Sequence, residues 1–374
     1  MPSLSQPRKI ADVLVGPLGY AIFTQLRCSE TDLVLSFALF VLQQPTPSSS
    51  PRHSMILSNL SAGAMNMTWK PEAQHTPDEQ AFETLKTAID AVPKEAKAFI
   101  NFEPRTAGKS ARFFKKFPDY SDRVFLSVKA GMTLEMKPDS SLEALRKNCE
   151  NINKHLGGRK MDLFEPARVD TIRPIEETME NLKTLQKEGH FAYIGLSETA
   201  PATLRRAAKV GPVAAVEVEY SPWSTQDIEG PDGIIETCRE LGITMIAYSP
   251  LGRGFITGTI KSRADLPEGD SRLHLDRFSE ENFKNNLKLV EKLEKIAQEK
   301  GCTVTQLALA WNLSQADFIV PIPGSTRPEG VKEGLGALQV DLNSQDLDAI
   351  REVIDSVTVV GGRYNKHIDA HSMK

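Results

Sequence analysis

Cysteine is scarce in this chain: four among 374 residues (Cys28, Cys149, Cys238 and Cys302), far apart and with no CxxC pair. That pattern supplies neither a disulfide framework nor a metal site, and it reads as reduced thiols in a cytoplasmic protein. Long apolar runs are missing too. The longest, "LVLSFALFVL" at 33–42, falls well short of the about 20 residues that span a bilayer. No apolar stretch of signal-peptide type lies in "MPSLSQPRKIADVLVG". A large excess of either charge is also absent. A net charge of -4 and a pI near 6.1 give no general attraction to nucleic acid or to an anionic membrane.

Two phosphate-binding signatures are lacking as well. No GxGxxG follows the first apolar run, which counts against an open doubly wound sheet. "AGKS" at 107–110 looks like the end of a Walker A loop, but the place of its first glycine is taken by Glu103. A carboxylate is a poor neighbour for amides that must cradle phosphate.

What is present is an ordinary globular composition, 40% apolar and 25% charged. One segment breaks it. Residues 21–62 carry only Arg27, Glu30, Asp32 and Arg52 as charges, and much of the rest is Ser/Pro-rich. This reads as a non-globular insertion after the first strand, with the composition of a surface loop or of a translated intron. The expected organisation is residues 1–20 as the start of one domain, 21–62 as the insertion, and 63–374 as the remainder.

Beyond residue 63 short apolar, β-branched runs alternate with helical stretches. The strands are expected at 98–101, 124–129, 162–169, 192–197, 213–220, 243–249 and 318–323. "SSLEALRKNCENINKHLGG" opens with Ser140 and Glu143 in capping-box spacing and stops at Gly157. "VLVGPLG" at 13–19 brings the count to eight strands in strict β-then-α order. Parallel strands with helical crossovers follow, and eight of them fit a closed (β/α)8 TIM barrel. Chemistry then sits at the C-terminal strand ends: Asn101, Lys129, Arg168, Ser197–Glu198, Glu217, Glu219, Tyr248 and Gly324–Ser325.

Three long motifs then carry a resemblance. They are "RPIEETMENLKTLQKEGHFAYIGLSE" (173–198), "YSPLGRGFITG" (248–258) and "VPIPGSTRPEGVKEGLGAL" (320–338). With "VGPLGY" (15–20), "GAMNMTW" (63–69) and "ARVD" (167–170), the chain resembles the aldo-keto reductase superfamily, in its fungal pyridoxal-reductase-like branch. The resemblance implies NADP(H) as cofactor and reduction of a small carbonyl substrate, such as pyridoxal or a secondary-metabolite aldehyde or ketone. It places Ser197 and Glu217 at the carboxamide, Glu217 standing where glutamine is commoner. Tyr248 falls where a ring stacks on the nicotinamide. Ser249, Pro250, Leu251, Gly252 and Arg253 match the loop over the pyrophosphate. Gly324, Ser325 and Arg327 match the 2′-phosphate pocket, and Glu333 the adenine contact. Gly330 and Gly334 stand where arginine and asparagine are usual.

The catalytic positions are less complete. Asn101 takes the Asp/Asn place at the end of the second strand and Lys129 the place of the family lysine. The turn of "GEFYG" type, whose tyrosine donates the proton, does not follow Asn101. "FEPRTAGKSARFF" stands there instead, and Ala167 occupies the family histidine position. Loss of a general acid costs about 10²–10⁴-fold in rate. The alternative expectation is therefore an NADP-binding barrel without turnover, acting as a sensor or scaffold.

Overall fold

The computed structural model describes residues 8–10, 13–15, 56–59, 76–94, 96–102, 107–364 and 372–374. Ten strands lie in one sheet in chain order. β1 (Arg8–Ile10) and β2 (Val13–Val15) make an antiparallel hairpin. All later neighbours are parallel: β3 (Ile56–Asn59), β4 (Ala96–Phe102), β5 (Val124–Ala130), β6 (Met161–Pro166), β7 (Phe191–Ser197), β8 (Ala215–Glu219), β9 (Thr244–Tyr248) and β10 (Ile319–Ile322). β10 returns beside β3, so eight parallel strands form the (β/α)8 barrel.

Helices on the outside cover it: α1 (Asp78–Asp90), α2 (Ala107–Lys116), α3 (Leu142–His155), α4 (Ile175–Lys187), α5 (Pro201–Val210) and α6 (Ile234–Leu241). After β9 come α7 (Glu280–Glu299) and α8 (Val304–Ser314), and after β10 come α9 (Pro328–Leu335) and α10 (Ser344–Asp355).

Two expectations need correcting here. A further strand, β3, lies inside the segment read as an insertion; Val13–Val15 is a strand as expected, but it pairs antiparallel with β1 as well as parallel with β3. "ILSN" is apolar and short enough to pair as a strand, and its Ser/Pro-rich neighbours hid it. The other residues of 21–62 lie outside the described residues. The cap of α3 is Ser141, whose side chain accepts from the Ala144 amide, one residue later than the spacing predicts. Ser140 is instead buried, its amide donating to Asp170.

The strands alternate in direction of burial, and that alternation builds the site. One parity faces the helices: Ile100, Phe102, Leu126, Val128, Phe164, Ile194, Leu196, Val216, Val218, Met245 and Ala247 join the main apolar layer. The other parity fills the lumen. Its floor is apolar: Phe99, Phe125, Leu163, Tyr193, Ala215, Ile246 and Val320, with Phe99 and Phe125 stacked at 5.8 Å. Two residues further along, the lumen turns polar at Asn101, Ser127, Glu165, Glu217 and Tyr248, with Gly195 on β7, while β10 stays apolar at Ile322. Two more residues reach the mouth, at Lys129, Ser197 and Glu219.

Gly195 is small because Glu165 fills its space. A Cβ there would stand 2.7 Å from Glu165 Cγ and 3.2 Å from Leu163 Cδ1. Gly195→Ala should therefore destabilise the fold by about 1–3 kcal/mol. Chemical denaturation of Gly195→Ala in the wild-type and Glu165→Ala backgrounds checks this. Equal cost in both would show that Glu165 is not the obstruction.

Candidate active site

The lower part of the site is a chain of contacts closed within the barrel. Lys129 Nζ lies 2.5 Å from Glu217 Oε1, reaching from β5 to β8. Asn101 Nδ2 donates to Glu217 Oε2 at 2.6 Å and to Ser127 Oγ at 3.4 Å. Ser127 Oγ donates in turn to Glu165 Oε1 at 2.6 Å. Both carboxylates are fully buried. Asn101 and Lys129 thus meet on Glu217. Glu217, expected at a carboxamide, spends both oxygens on Lys129 and Asn101 and serves as the lysine's counter-ion.

Burial raises the Glu165 carboxyl well above the usual range, and the charge of Glu217 pushes the same way. Lys129 and the Ser127 hydroxyl oppose this without reversing it. The balance favours the protonated form of Glu165, whose Oε2 has no hydrogen-bond partner among the described residues.

The upper part is closed by the C-terminal tail. Arg363 forks onto Glu198, Nη1 to Oε1 at 3.1 Å and Nη2 to Oε2 at 2.9 Å, and Glu198 is wholly buried. Tyr248 donates its hydroxyl to Glu198 Oε1 at 2.9 Å and lies 2.7 Å from the Tyr364 hydroxyl. The Tyr364 ring sits between two guanidiniums, Arg253 at 4.6 Å and Arg168 at 5.2 Å. Burial alone would raise the Glu198 carboxyl, but the Arg363 and Arg168 guanidiniums prevail and hold it below its ordinary value. Burial and the neighbouring Glu198 charge push the Tyr248 phenol well up. Beside them, Arg277 reaches Glu219 at 3.3 Å and Ser224 at 2.7 Å.

The loop after β9 is held in an unusual shape. Ser249, Gly252 and Arg253 all have positive φ (48°, 56° and 57°), and a Cβ on Gly252 would strike Trp223 at 2.5 Å. The Gly252 amide donates to the Ser249 carbonyl at 2.8 Å, and Pro250 and Leu251 lie between them. Such backbone strain is a common mark of a ligand-contact loop. Ser197 stands at the end of β7 with its hydroxyl buried and without a hydrogen-bond partner among the described residues. Gly324, Ser325 and Arg327 lie on the loop after β10, where Ser325 Oγ donates to the Arg327 carbonyl and accepts from the Arg327 amide. A Cβ on Gly330 would stand 2.5 Å from Ser325 Oγ. Glu333 accepts from Thr303 Oγ1 at 3.1 Å, on the outer side of α9. Asn101, Lys129, Ser197, Glu217 and Tyr248 share one lumen, with Arg253 at its mouth; Gly324, Ser325, Arg327 and Glu333 form a separate, exposed edge.

Residues 59–355 match the Aldo/keto reductase family. The chain belongs to that family. Among curated relatives, "Probable pyridoxal reductase 2" of Schizosaccharomyces pombe is 36% identical over 319 residues, 82% of this chain and 95% of the relative. "Aldo-keto reductase yakc", from the same organism and with NADP(+) in its name, is 44% identical over 64% of this chain and 72% of its own length. A glycerol dehydrogenase from Gluconobacter oxydans has the same fold, with a TM-score of 0.69 at 20% identity, covering 85% and 96% of the two chains.

For this aldo/keto reductase the sequence reading missed Ser127, Glu165, Arg277, Arg363 and Tyr364. Glu165 alternates with Leu163 in "LFEP" and was findable from strand parity alone. Nothing in the spacing of "VVGGRYNK" announces that Arg363 and Tyr364 enter the mouth. Among the described residues no group of three or more metal-binding side chains occurs, and no helix is long and apolar enough to cross a membrane.

Glu165 generates a prediction about pH. The folded protein keeps the Glu165 proton above the ordinary glutamate pKa of about 4.3, while the unfolded chain loses it. The carboxyl thus costs stability increasingly as pH rises above that value, until the folded group itself ionises. Glu165→Gln removes the titration and keeps an acceptor for Ser127. Its melting temperature relative to wild type should climb between pH 4 and pH 8, and a difference that stays flat with pH would mean that Glu165 is already ionised in the fold.

Proposed function

We propose that the protein is an NADP-dependent carbonyl reductase that converts an aldehyde or ketone to the alcohol, with a pyridoxal-like aldehyde as the favoured substrate. The observation that carries this reading is the buried Ser197 hydroxyl, without a hydrogen-bond partner among the described residues, at the end of β7 in the lumen that also holds the half-buried Tyr248 ring. A carboxamide would complete that hydroxyl, and a flat ring fits the tyrosine face. Charge supports it. In and around the mouth the cations Lys129, Arg168, Arg253, Arg277 and Arg363 face the carboxyl groups of Glu198, Glu217 and Glu219. The excess suits a pyrophosphate. Ser249–Arg253 are the residues that would lie over it, and Ser325 and Arg327 those that would meet a 2′-phosphate. The pyridoxal preference is supported by the name of the 36% identical relative.

When bound, the dinucleotide supplies hydride. The residues of the chain have to orient it, exclude water and deliver a proton to the carbonyl oxygen. Lys129, fixed by Glu217, holds a positive charge at the mouth that would ease proton release from a phenol placed beside it. Between Asn101 and Phe117 the sequence contains no tyrosine. That absence favours the second reading, a nucleotide-binding barrel without efficient turnover.

Both are tested on the purified protein with NADPH and a panel of aldehydes that includes pyridoxal. The expected result is a shift in NADPH fluorescence with slow oxidation. Inserting a Ser-Gly-Glu-Phe-Tyr-Gly turn after Asn101 should raise kcat by about 10²–10⁴-fold. Lys129→Met should abolish that gain yet leave the slow rate of the original chain nearly unchanged. Nucleotide binding with no oxidation even after insertion would favour the sensor reading, and turnover at ordinary rates without insertion would remove the need for the missing phenol.

A further inference from the structure

Arg363 and Tyr364 take up groups that the reading above gives to the nucleotide. Tyr248, whose ring would carry the nicotinamide, is held by its hydroxyl to Tyr364 at 2.7 Å. Arg253, at the end of the pyrophosphate loop, stacks on the Tyr364 ring at 4.6 Å and donates from Nη2 to the Arg363 carbonyl at 3.4 Å. Glu198, next to Ser197, is neutralised by the Arg363 fork. Each of these contacts uses a side chain on the barrel rim, and each partner comes from two adjacent tail residues.

We propose that Arg363 and Tyr364 are a built-in competitor of the dinucleotide: they occupy the mouth in the free protein, and binding requires them to leave. The proposal rests on the reading of this mouth as the NADP site.

The anchoring of the tail fits a strap that opens locally. Upstream, Asn286 holds Val360 in both directions, Nδ2 to the Val360 carbonyl at 2.9 Å and the Val360 amide to Oδ1 at 2.9 Å. Arg277 Nε donates to the Gly361 carbonyl at 3.2 Å. None of these bonds involves Arg363 or Tyr364, and they need not break when Tyr364 withdraws. On the other side, the Ala200 amide donates to the Lys374 carbonyl at 2.9 Å and the Lys374 amide to the Glu198 carbonyl at 3.3 Å. Arg363 and Tyr364, tethered through Val360 and Gly361, re-enter at high effective concentration. The nucleotide therefore binds only the open fraction, and its apparent Kd is the intrinsic value divided by that fraction. Tyr364 is the residue to remove, since deleting Arg363 alone would leave the Glu198 charge buried with less compensation.

The test measures NADPH affinity by fluorescence on the full chain and on Tyr364→Ala, with tryptic cleavage after Arg363 followed by mass spectrometry on the unmodified chain. If a mouth closed about nine-tenths of the time is opened, the NADPH Kd of Tyr364→Ala falls by about tenfold. Saturating NADPH should also speed release of the fragment beginning at Tyr364. A folded Tyr364→Ala that binds NADPH no more tightly than wild type overturns the proposal, as does protection of Arg363 by the nucleotide. Should Tyr364→Ala not fold, the cleavage result on the unmodified chain decides. Failure of every form to bind NADPH would overturn the nucleotide reading itself, which an unchanged Kd would not.

Discussion

A carboxylate sealed above an apolar floor must find its counter-charge inside the same lumen, and Glu217 finds it in Lys129. The rest of the lower site follows from that pair. Here the negative charge sits on β8, and the β4 position is an amide that donates to Glu217 at 2.6 Å. An aspartate at 101 would put a third carboxyl beside Glu217 and Glu165 with one ammonium among them. The asparagine is therefore compatible with a carboxylate at 217, since it donates to Glu217 without adding a charge. Glu165 remains, and with Lys129 already committed the inexpensive state for it is the protonated one.

The upper site solves the same problem by other means. Glu198 is as buried as Glu217, but its principal partner comes from the tail and not from a neighbouring strand. A strand-borne partner is fixed by the sheet's own hydrogen bonds. A tail-borne partner is fixed by the contacts it makes in the mouth, and those can be exchanged. The lower pair is thus permanent and the upper pair is replaceable, which places any exchangeable chemistry at Tyr248, Glu198 and Arg253.

Much of this was legible in the sequence because strand parity is a two-residue rule. Alternation gives the lumen set once the strands are known, and the strict β-then-α order gives the barrel. The errors have local causes. Two adjacent serines offered two caps for α3, and only the packing of Ser140 against Asp170 decides between them. Val13–Val15 is a strand, as its composition suggests, but it pairs with β1 in a hairpin as well as with β3, and β10 returns to β3. The tail was illegible for a different reason. Its contacts join residues more than a hundred positions apart, such as Tyr248 and Tyr364, and no period in "VVGGRYNK" encodes them.

The loop after β9 shows why exchange at the mouth need not disturb the barrel. Its shape comes from left-handed residues at Ser249, Gly252 and Arg253, from hydrogen bonds inside the turn, and from the close approach of Gly252 to Trp223. Trp223 is itself wedged against Phe255, with ring centres 4.4 Å apart. None of these constraints involves the tail. Arg253 is presented at the same place by the backbone whatever its guanidinium meets, a tyrosine ring or a phosphate. The energetic difference between the two is then confined to side chains: loss of a cation–π contact and a carbonyl hydrogen bond, against a charge-assisted bond to an anion that is roughly twice as strong as a neutral one. That difference favours the anion only after the Glu198–Arg363 pair has been broken, so the buried carboxylate just after β7 sets the threshold that a ligand at Arg253 has to exceed.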